Sequence, residues 1–425
     1  DKIENEIFPT NFSFNKKKYL ELKKIIGKKN LSSYKKTLKE ITLNNFLSTS
    51  KNNYESSKIL ELKKNIDKIK KLNLSLLHKI FLTVNYCKNL GTISFASMAR
   101  KAFIATGFID DLNKIGILNA RDVKNLYSSI QTVSKNIQND LLLLKKKNIS
   151  KKLFLKKYGH LRPSTYSINS KNYQDGYNDY FNLKNNTQVN NKKFTLEKYK
   201  LNKIDNLLKV NSFQMKSKNF IKYLQSCIEE RERFKLIFTI AIDDIFSYLK
   251  KMGKRLKLSS SDLEFLDIDI LIKSFSNLNF SKLEKIIKEN IKLNKYKLSH
   301  QSYIKLPDVI VNSKDIYFFE KLNMNGNFVT QKTVTGKMII YKNKLKNLNG
   351  KIIVLQNADP GYDFIFSHNI KGLITKYGGP NSHMAIRCAE HQIPAIIGMT
   401  NNYEDLKDNQ SITIDCFQKK IFRHE

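Results

Sequence analysis

The chain has 425 residues, of which 41% are hydrophobic, and this is enough for two or three domains with separate cores. Its formal net charge of +38 comes from lysines spread over the whole sequence, with little arginine, no zinc-finger spacing and no arginine-rich arm, so no nucleic-acid partner is predicted. The sequence has no signal peptide, no long apolar run and no Cys-x-x-Cys pair, which together predict a cytoplasmic protein without membrane contact, metal site or disulfide framework.

The first part of the chain is predicted to be helical. Residues 60–90, 95–118 and 119–144 carry apolar side chains at helical spacing, and residues 213–253 form a further long helix with an apolar face. Between them, residues 158–180 contain a glycine, a proline and five tyrosines, which is typical of a loop.

The pattern changes beyond about residue 334. Short β-like runs occur at residues 337–341, 351–355, 372–375 and 411–415, with a glycine turn and a helix from about Ser382 to Glu390 between them. We therefore predict an α + α/β fold. It consists of a mostly helical acceptor-substrate region at residues 1–333 and a small C-terminal α/β domain at residues 334–425, with a hinge near residues 323–335.

A histidine at the start of the last predicted helix is the main candidate for chemistry. Asn381 or Ser382 can cap this helix, and His383 then lies in its first turn, where free N–H groups and the helix dipole favour an anion. A neutral histidine is a nucleophile near pH 7, and a phosphoryl group on its ring is such an anion. Gly378 and Gly379 allow the backbone to approach phosphate oxygens closely. A lone histidine would be interpreted as an ordinary helix-start residue, but the surrounding pattern favours a phosphate carrier.

That pattern resembles the swivelling phosphohistidine domain of the phosphoenolpyruvate synthase and pyruvate phosphate dikinase superfamily. The resemblance rests on Gly-Gly-x-x-Ser-His at residues 378–383, on Ala-Glu-x-x-Ile-Pro-Ala-x-x-Gly at residues 389–398 and on Asp-Pro-Gly at residues 359–361. It implies that His383 is the catalytic phosphoryl carrier. The arginine usual in this helix is absent, because Ala389 stands at its place and the arginine here is Arg387. The phosphate contacts are predicted to come from Gly378, Gly379, Asn381, Ser382 and Arg387.

The order of the regions along the chain limits which members of this superfamily it resembles. Only 42 residues follow His383, so no barrel domain for phosphoenolpyruvate fits there, and a phosphoenolpyruvate reaction is not expected within this chain. A helical region followed by a histidine domain resembles rifampin phosphotransferase, and more closely the related kinases of bacterial capsule pathways. The latter resemblance rests on residues 95–104, 158–166, 231–235 and 259–271. Its best-fitting activity is that of L-glutamine kinase in capsular phosphoramidate synthesis, which phosphorylates the amide nitrogen of glutamine.

The resemblance also implies a nucleotide site elsewhere. Enzymes of this group carry an ATP-grasp domain ahead of these regions, which binds ATP and Mg²⁺, phosphorylates the histidine, and releases AMP and phosphate. The sequence shows neither a glycine-rich phosphate loop nor a strand-rich start. We therefore interpret the chain as the C-terminal portion of such an enzyme, with the ATP-grasp domain upstream in the same protein or on a separate fragment.

The acceptor site is predicted in the loop at residues 158–166, YGHLRPSTY, which is similar to a segment near the acceptor in rifampin-type enzymes. His160 is a candidate base or hydrogen-bond donor, Arg162 a candidate ligand for the phosphoryl group or a carboxylate, and Tyr166 a candidate for orienting the nucleophile. The alternative is a structural loop, in which His160 is hydrogen-bonded and Arg162 is paired with a carboxylate.

Two arginines outside this loop are further acceptor-site candidates. Arg231 lies one helical turn before Lys235, and a pair with Glu230 or Glu232 is the structural alternative for it. Arg100 lies in a helix of small and apolar residues, where it either faces the cleft or forms an internal pair.

Three functions are consistent with these observations. The first is a dikinase-type phosphotransferase with a phosphohistidine intermediate, whose acceptor is glutamine or, as in the rifampin-type enzymes, another small molecule. The second is a non-catalytic binding or regulatory module that has kept the carrier fold. The third, a basic nucleic-acid binder, is disfavoured by the scattered lysines.

Overall fold

The computed structural model describes residues 16–47, 53–181, 194–273, 280–301, 313–316, 326–330, 332–341, 347–380, 382–399 and 403–424. Within these residues, a large helical region precedes a small α/β domain that contains the sheet, and this confirms the predicted α + α/β fold. The division between residues 333 and 334 stays a prediction.

The helical region is built from helices of very different lengths. They are α1 (Lys16–Leu47), α2 (Asn53–Lys71), α3 (Leu76–Tyr86), α4 (Ile93–Lys114), α5 (Ala120–Ser129), α6 (Val133–Lys145), α7 (Lys151–Tyr158), α8 (Tyr177–Tyr180), α9 (Lys198–Val210), α10 (Ser217–Arg255), α11 (Ser260–Leu263), α12 (Ile268–Lys273) and α13 (Phe280–Gln301). A π-helical segment, Cys87–Thr92, joins α3 to α4, and a 3-10 turn spans Ser313–Ile316.

Capping residues explain where two of the predicted helices are divided. The stretch at residues 60–90 is interrupted before α3, because the Ser75 side chain accepts a hydrogen bond from the backbone N–H of His78 and starts a new helix. Thr132 does the same for α6, accepting from the N–H of Lys135. Asn119 and Asp122 form a capping box at the start of α5, where the sequence predicted a helix to begin.

The 39-residue helix α10 is the centre of the helical region. Its first half packs against α4 through Phe220 and Phe108, and its second half packs against α2 through Phe234 and Phe238. The π-helical segment approaches α10 so closely that a Cβ atom at Gly91 would lie 2.7 Å from the Phe238 ring. Burying each large apolar side chain contributes roughly 1.5–3 kcal/mol, so this helix anchors two cores at once.

The C-terminal domain is a seven-stranded sheet with the order β1-β5-β4-β3-β2-β6-β7. Strands β2 to β5 pair in parallel, whereas β1, β6 and β7 pair antiparallel at the two edges. Strands β3, β4 and β5 are buried along their whole length, as their apolar sequences predict for central parallel strands. The strands are β1 (Asn327–Val329), β2 (Thr333–Ile340), β3 (Ile352–Leu355), β4 (Gly372–Thr375), β5 (Ala395–Ile397), β6 (Ser411–Asp415) and β7 (Lys420–His424).

Two helical elements of this domain lead to the site. A 3-10 helix, Pro360–Ser367, follows β3, and α14 (His383–His391) follows β4. All four cysteines are free and buried. Among the described helices, none combines the length and apolarity needed to cross a membrane.

An aromatic core joins the helical region to the C-terminal domain. Tyr158, Tyr173 and Tyr180, from the tyrosine-rich segment, pack in one cluster with Tyr362 and Phe364 of the 3-10 helix. The Tyr173 hydroxyl donates a 2.9 Å hydrogen bond to the carbonyl oxygen of Gly361. The backbone is so close here that a Cβ atom at Gly361 would lie 1.7 Å from the carbonyl oxygen of Arg162. The tyrosine-rich loop is therefore a packing surface for the C-terminal domain.

We expect Tyr173→Phe to lower the free energy of unfolding by about 1–3 kcal/mol, because it leaves a buried carbonyl group without its donor. Urea denaturation followed by circular dichroism measures this loss. Tyr54→Phe, at a site that is 67% exposed, is the matched control and should change stability by less than about 0.5 kcal/mol. Equal effects of the two substitutions would contradict this account of the interface.

Candidate functional site

His383 is the first residue of α14 and follows a tight turn after β4. Gly378 has a φ of 133°, and a Cβ atom there would lie 2.6 Å from the Ala358 side chain, so the turn requires glycine. The Ser382 side chain accepts a 3.4 Å hydrogen bond from the N–H of Ala385, which confirms that Ser382 is the helix cap. Asn381 lies outside the described residues. His383 is only 7% exposed, so its ring is held inside the protein.

The Nε2 side of the ring faces two oxygen groups. Nε2 lies 2.7 Å from Oδ1 of Asp363, in the 3-10 helix, and 2.9 Å from Oγ of Ser134, in the first turn of α6. Ser134 also donates a short hydrogen bond to Oδ2 of Asp363. Burial acts to raise the pKa of Asp363, but His383, Arg387 and Ser134 outweigh it and hold the pKa below its usual value. Asp363 is therefore a carboxylate that accepts a hydrogen bond from Nε2–H.

The Nδ1 side of the ring faces a second carboxylate. Oε2 of Glu232, on α10, lies 3.6 Å from Nδ1. Its other oxygen, Oε1, accepts a 3.0 Å hydrogen bond from Nη1 of Arg231, which orients the carboxylate. Glu232 is 6% exposed, so both carboxylates that face the ring are shielded from water.

Arg387 lies one helical turn after His383 and is 2% exposed. Its Nη1 donates to Oε2 of Glu390 at 2.5 Å, and its Nε lies 3.5 Å from Oδ1 of Asp363. Nε and Nη2 make no hydrogen bond within the described part of the chain. Buried guanidinium N–H groups without acceptors are unfavourable, and an anion that reached them would satisfy them. The position of Arg387 thus fits its predicted contact with phosphate.

Two cations of α10 lie near the carboxylates of the site. Arg231 pairs with Glu232 and lies over the Phe103 ring at 5.9 Å, while its Nε makes no hydrogen bond to the described residues. Burial lowers the pKa of the half-buried Lys235, and the carboxylate of Asp359 is the largest opposing influence. Lys235 is therefore within electrostatic reach of the Asp-Pro-Gly segment that precedes Asp363.

The acceptor-loop histidine and arginine are both engaged in the packing of the loop. His160 donates from Nε2 to the carbonyl oxygen of Leu236 at 2.9 Å, and burial lowers its pKa to about 4, so its ring is neutral at pH 7. Arg162 is 4% exposed, forms a short ion pair with Asp243 and donates to the carbonyl oxygen of Ser170 at 3.3 Å. These contacts favour the structural alternative for both residues.

Tyr166 differs from its neighbours in the loop because it is 61% exposed. It lines a cavity of about 380 Å³ whose other walls are mainly apolar and include Phe238, Ile242 and Leu249 of α10. Arg100 is exposed on α4. The structure therefore places Arg387 one helical turn from His383 and links Arg231 to the ring through Glu232, and it leaves Tyr166 at the edge of an apolar cavity.

Three residues of the site were not singled out from the sequence. Ser134 and Glu232 are distant from His383 along the chain. No local motif marks Ser134, whereas Glu232 lies in the 231–235 segment and was considered only as a partner of Arg231. Asp363 follows the Asp-Pro-Gly segment by two residues, so the resemblance of that segment could have drawn attention to it.

A family model matches the C-terminal segment that contains His383. Residues 348–419 match the family described as "PEP-utilising enzyme, mobile domain". The chain is similar to a rifampicin phosphotransferase of Bacillus cereus, with 32% identity over 34% of this chain and 18% of the relative. A phosphoenolpyruvate synthase of Helicobacter pylori is 28% identical over 25% of this chain and 14% of that protein. A pyruvate kinase of Staphylococcus saprophyticus is 32% identical over 23% and 17%.

These alignments cover less than a fifth of each relative. They show that residues 348–419 are similar to the mobile domain of PEP-utilising enzymes, and the relatives named above are phosphotransferases.

The low pKa of His160 predicts a pH dependence of stability. In the unfolded chain the ring binds a proton below about pH 6.5, whereas the folded protein does not bind it until about pH 4, so stability falls as the pH drops through this window. We expect the loss of unfolding free energy between pH 7 and pH 5 to be about 1–2 kcal/mol smaller in His160→Gln than in the wild type. Urea denaturation at both pH values tests this, and identical losses in the two proteins would contradict it.

Proposed function

We propose that this chain is the carrier and acceptor portion of a dikinase-type phosphotransferase, in which His383 carries a phosphoryl group from ATP to a small-molecule acceptor. One observation carries the proposal. His383 begins a helix of the segment that matches the mobile domain of PEP-utilising enzymes, and a buried arginine with two unsatisfied nitrogens lies one turn away.

The carrier half of the reaction follows from the surroundings of the ring. A neutral imidazole attacks the transferred phosphorus, and the Asp363 carboxylate orients the ring by accepting a hydrogen bond from it. ATP and Mg²⁺ are bound by an ATP-grasp domain, upstream in the same protein or on a separate fragment. The bond from the transferred phosphorus to the AMP oxygen breaks as the bond to nitrogen forms, and one water takes up the terminal phosphoryl group, so AMP and phosphate are released. The phosphoryl group on His383 is held by Arg387, by the backbone at Gly378 and Gly379, and by Asn381 and Ser382 at the start of the helix.

The acceptor half takes place at the cleft beside α10. Arg231 and Lys235 neutralise charge on the phosphoryl group as it leaves the ring. Tyr166 lies at the edge of the acceptor site, whereas His160 and Arg162 hold the loop that carries it. Arg100, which is exposed on α4, is kept as a candidate for binding the acceptor. The C-terminal domain, predicted at residues 334–425 and including its first strand β1 at Asn327–Val329, moves between the nucleotide and the acceptor as a unit.

Two acceptors are proposed. The first is L-glutamine, phosphorylated on its amide nitrogen for a capsular phosphoramidate. The second is an acceptor with an apolar body, as in the rifampicin phosphotransferases. The cavity beside Tyr166 favours this second class, because a volume of about 380 Å³ with mainly apolar walls suits hydrocarbon better than an amino acid.

The carrier role is tested by adding an ATP-grasp portion and ATP to the chain and measuring AMP release and acid-labile phosphate on the protein. We expect His383→Ala to abolish both, because no other group replaces the nucleophile. His300→Ala, which removes an exposed histidine on α13, is the matched control and should retain full activity. Full activity of His383→Ala would end the proposal. A wild type that accepts phosphoryl from no donor would favour a non-catalytic module.

The role of Arg387 is tested separately. We expect Arg387→Gln to reduce the phosphohistidine formed at a fixed ATP concentration by roughly tenfold or more, because a charge-assisted contact to the phosphoryl group is lost. Acid-labile ³²P incorporation measures this. Arg255→Gln, at an exposed site on α10, should not change it. Equal incorporation by Arg387→Gln and the wild type would remove Arg387 from the phosphate site.

The two acceptors are distinguished by phosphorus NMR of the phosphorylated protein with either L-glutamine or rifampicin added. A phosphorus–nitrogen product with glutamine supports the first acceptor, and a phosphate ester of rifampicin supports the second. If glutamine yields no such product, the glutamine assignment is wrong and the class of enzyme is unaffected.

A further inference from the structure

The cluster around His383 joins two parts of the molecule. Asp363 and Arg387 belong to the C-terminal domain, together with the ring itself. Ser134 and Glu232 come from α6 and α10 of the helical region, one on each side of the ring. The helical region therefore contacts both nitrogens that could carry a phosphoryl group.

The contact at Nε2 leaves no space for phosphorus. Ser134 Oγ lies 2.9 Å from Nε2 and Asp363 Oδ1 lies 2.7 Å from it, which are hydrogen-bond distances. A phosphorus atom bonded to Nε2, with three oxygens around it, would overlap both the Ser134 hydroxyl and the Asp363 carboxylate. Ser134 is 1% exposed and lies in the first turn of a 13-residue helix, so it moves aside only if α6 and the ring separate.

The contact at Nδ1 is incompatible with a phosphoryl group because of charge. Glu232 Oε2 lies 3.6 Å from Nδ1, and its carboxylate is buried. A phosphoryl group on Nδ1 would place a second anion against this carboxylate in a site without water. Two like charges at such a distance repel strongly in a protein interior. Neither nearby arginine favours this docked position for a phosphorylated ring. Arg387 lies on the same helix as His383 and moves with it, and Nη1 of Arg231 is already engaged by the other oxygen of Glu232.

We propose that Ser134 and Glu232 are positioning residues that distinguish the two states of the carrier. They bind the C-terminal domain when His383 is unmodified and exclude it from this position when His383 carries a phosphoryl group on either nitrogen. The arrangement is then the state after transfer, in which the ring has delivered its phosphoryl group and docks between Ser134 and Glu232. This inference rests on the proposed function of His383 and adds the order of events at the acceptor site.

Substitutions at His383 test the inference without any donor. His383→Glu introduces a negative charge between the carboxylates, and His383→Gln is the matched neutral control. We expect hydrogen–deuterium exchange in the first turn of α6 and in α14 to be roughly tenfold faster in His383→Glu than in His383→Gln, because the two surfaces separate. Exchange in β3 and β4 should be equal in the two variants. This is the control that shows that the sheet remains folded in both. Equal exchange in α6 and α14 would overturn the inference.

A second substitution assigns the effect to Glu232. Adding Glu232→Gln to His383→Glu removes the opposing charge from the helical region, and we expect most of the tenfold difference to disappear. Asp363→Asn in the same background changes a carboxylate that moves with the ring, so it should restore docking much less. Equal restoration by Glu232→Gln and Asp363→Asn would contradict the assignment to Glu232.

The wild type provides the decisive comparison, with and without phosphoryl loading from ATP and an ATP-grasp portion. Loading should raise exchange in α6 and α14, as His383→Glu does. If acid-labile phosphate forms on His383 and the exchange does not change, this inference fails and the carrier role stands. If no phosphate forms, the proposed carrier role fails, and the comparison of His383→Glu with His383→Gln still decides whether the docking surface rejects a negative charge.

Discussion

The structure depends on a cluster of charged side chains that is almost completely removed from water at the junction of its two parts. Asp363, Glu232 and Arg387 are each less than a tenth exposed, and the ring of His383 lies among them. Burying an isolated charge is very unfavourable, so each of these groups requires a partner at short distance. The partners come from both the helical region and the C-terminal domain. These charges are therefore compensated only while the C-terminal domain lies against α6 and α10.

A second interaction, the shared aromatic core, stabilises the junction but does not fix the orientation of its two parts. The tyrosine-rich loop after α7 and the 3-10 helix of the C-terminal domain share one aromatic core, in which Tyr173 is completely buried. Apolar contacts of this kind are favourable over a range of orientations, because the hydrophobic effect is non-directional. The hydrogen bond from Tyr173 to Gly361 and the charged cluster are directional, and they select one orientation from that range.

Helix α10 connects the reacting group to the apolar cavity. Glu232 lies at the ring of His383, Lys235 follows near Asp359, and Phe238 and Ile242 line the cavity beside Tyr166. With a rise of 1.5 Å per residue, the ten residues from Glu232 to Ile242 span about 15 Å. Charged and then apolar side chains thus follow one another along a single helix.

The sequence alone determined the local features of the C-terminal domain. The apolar runs of β3 and β4 and the helix at His383, with Ser382 as one of two candidate caps, depend on neighbouring residues, and all were predicted. The sequence also predicted that the loop at residues 158–166 differs from the helices around it. Its residues, however, make different kinds of contact. His160 and Arg162 bind a backbone carbonyl group and Asp243, and only Tyr166 is exposed.

Only the tertiary structure decided which residues surround the ring of His383. Ser134 lies 249 residues before His383 in the chain, and the ring reaches it only when the aromatic core has docked the two parts of the molecule together. A long-range contact of this kind produces no periodicity or motif in the sequence, because each residue fits into its own helix equally well whether or not the other is present. The identity of the carrier residue is thus a local property of the sequence, whereas its partners result from packing.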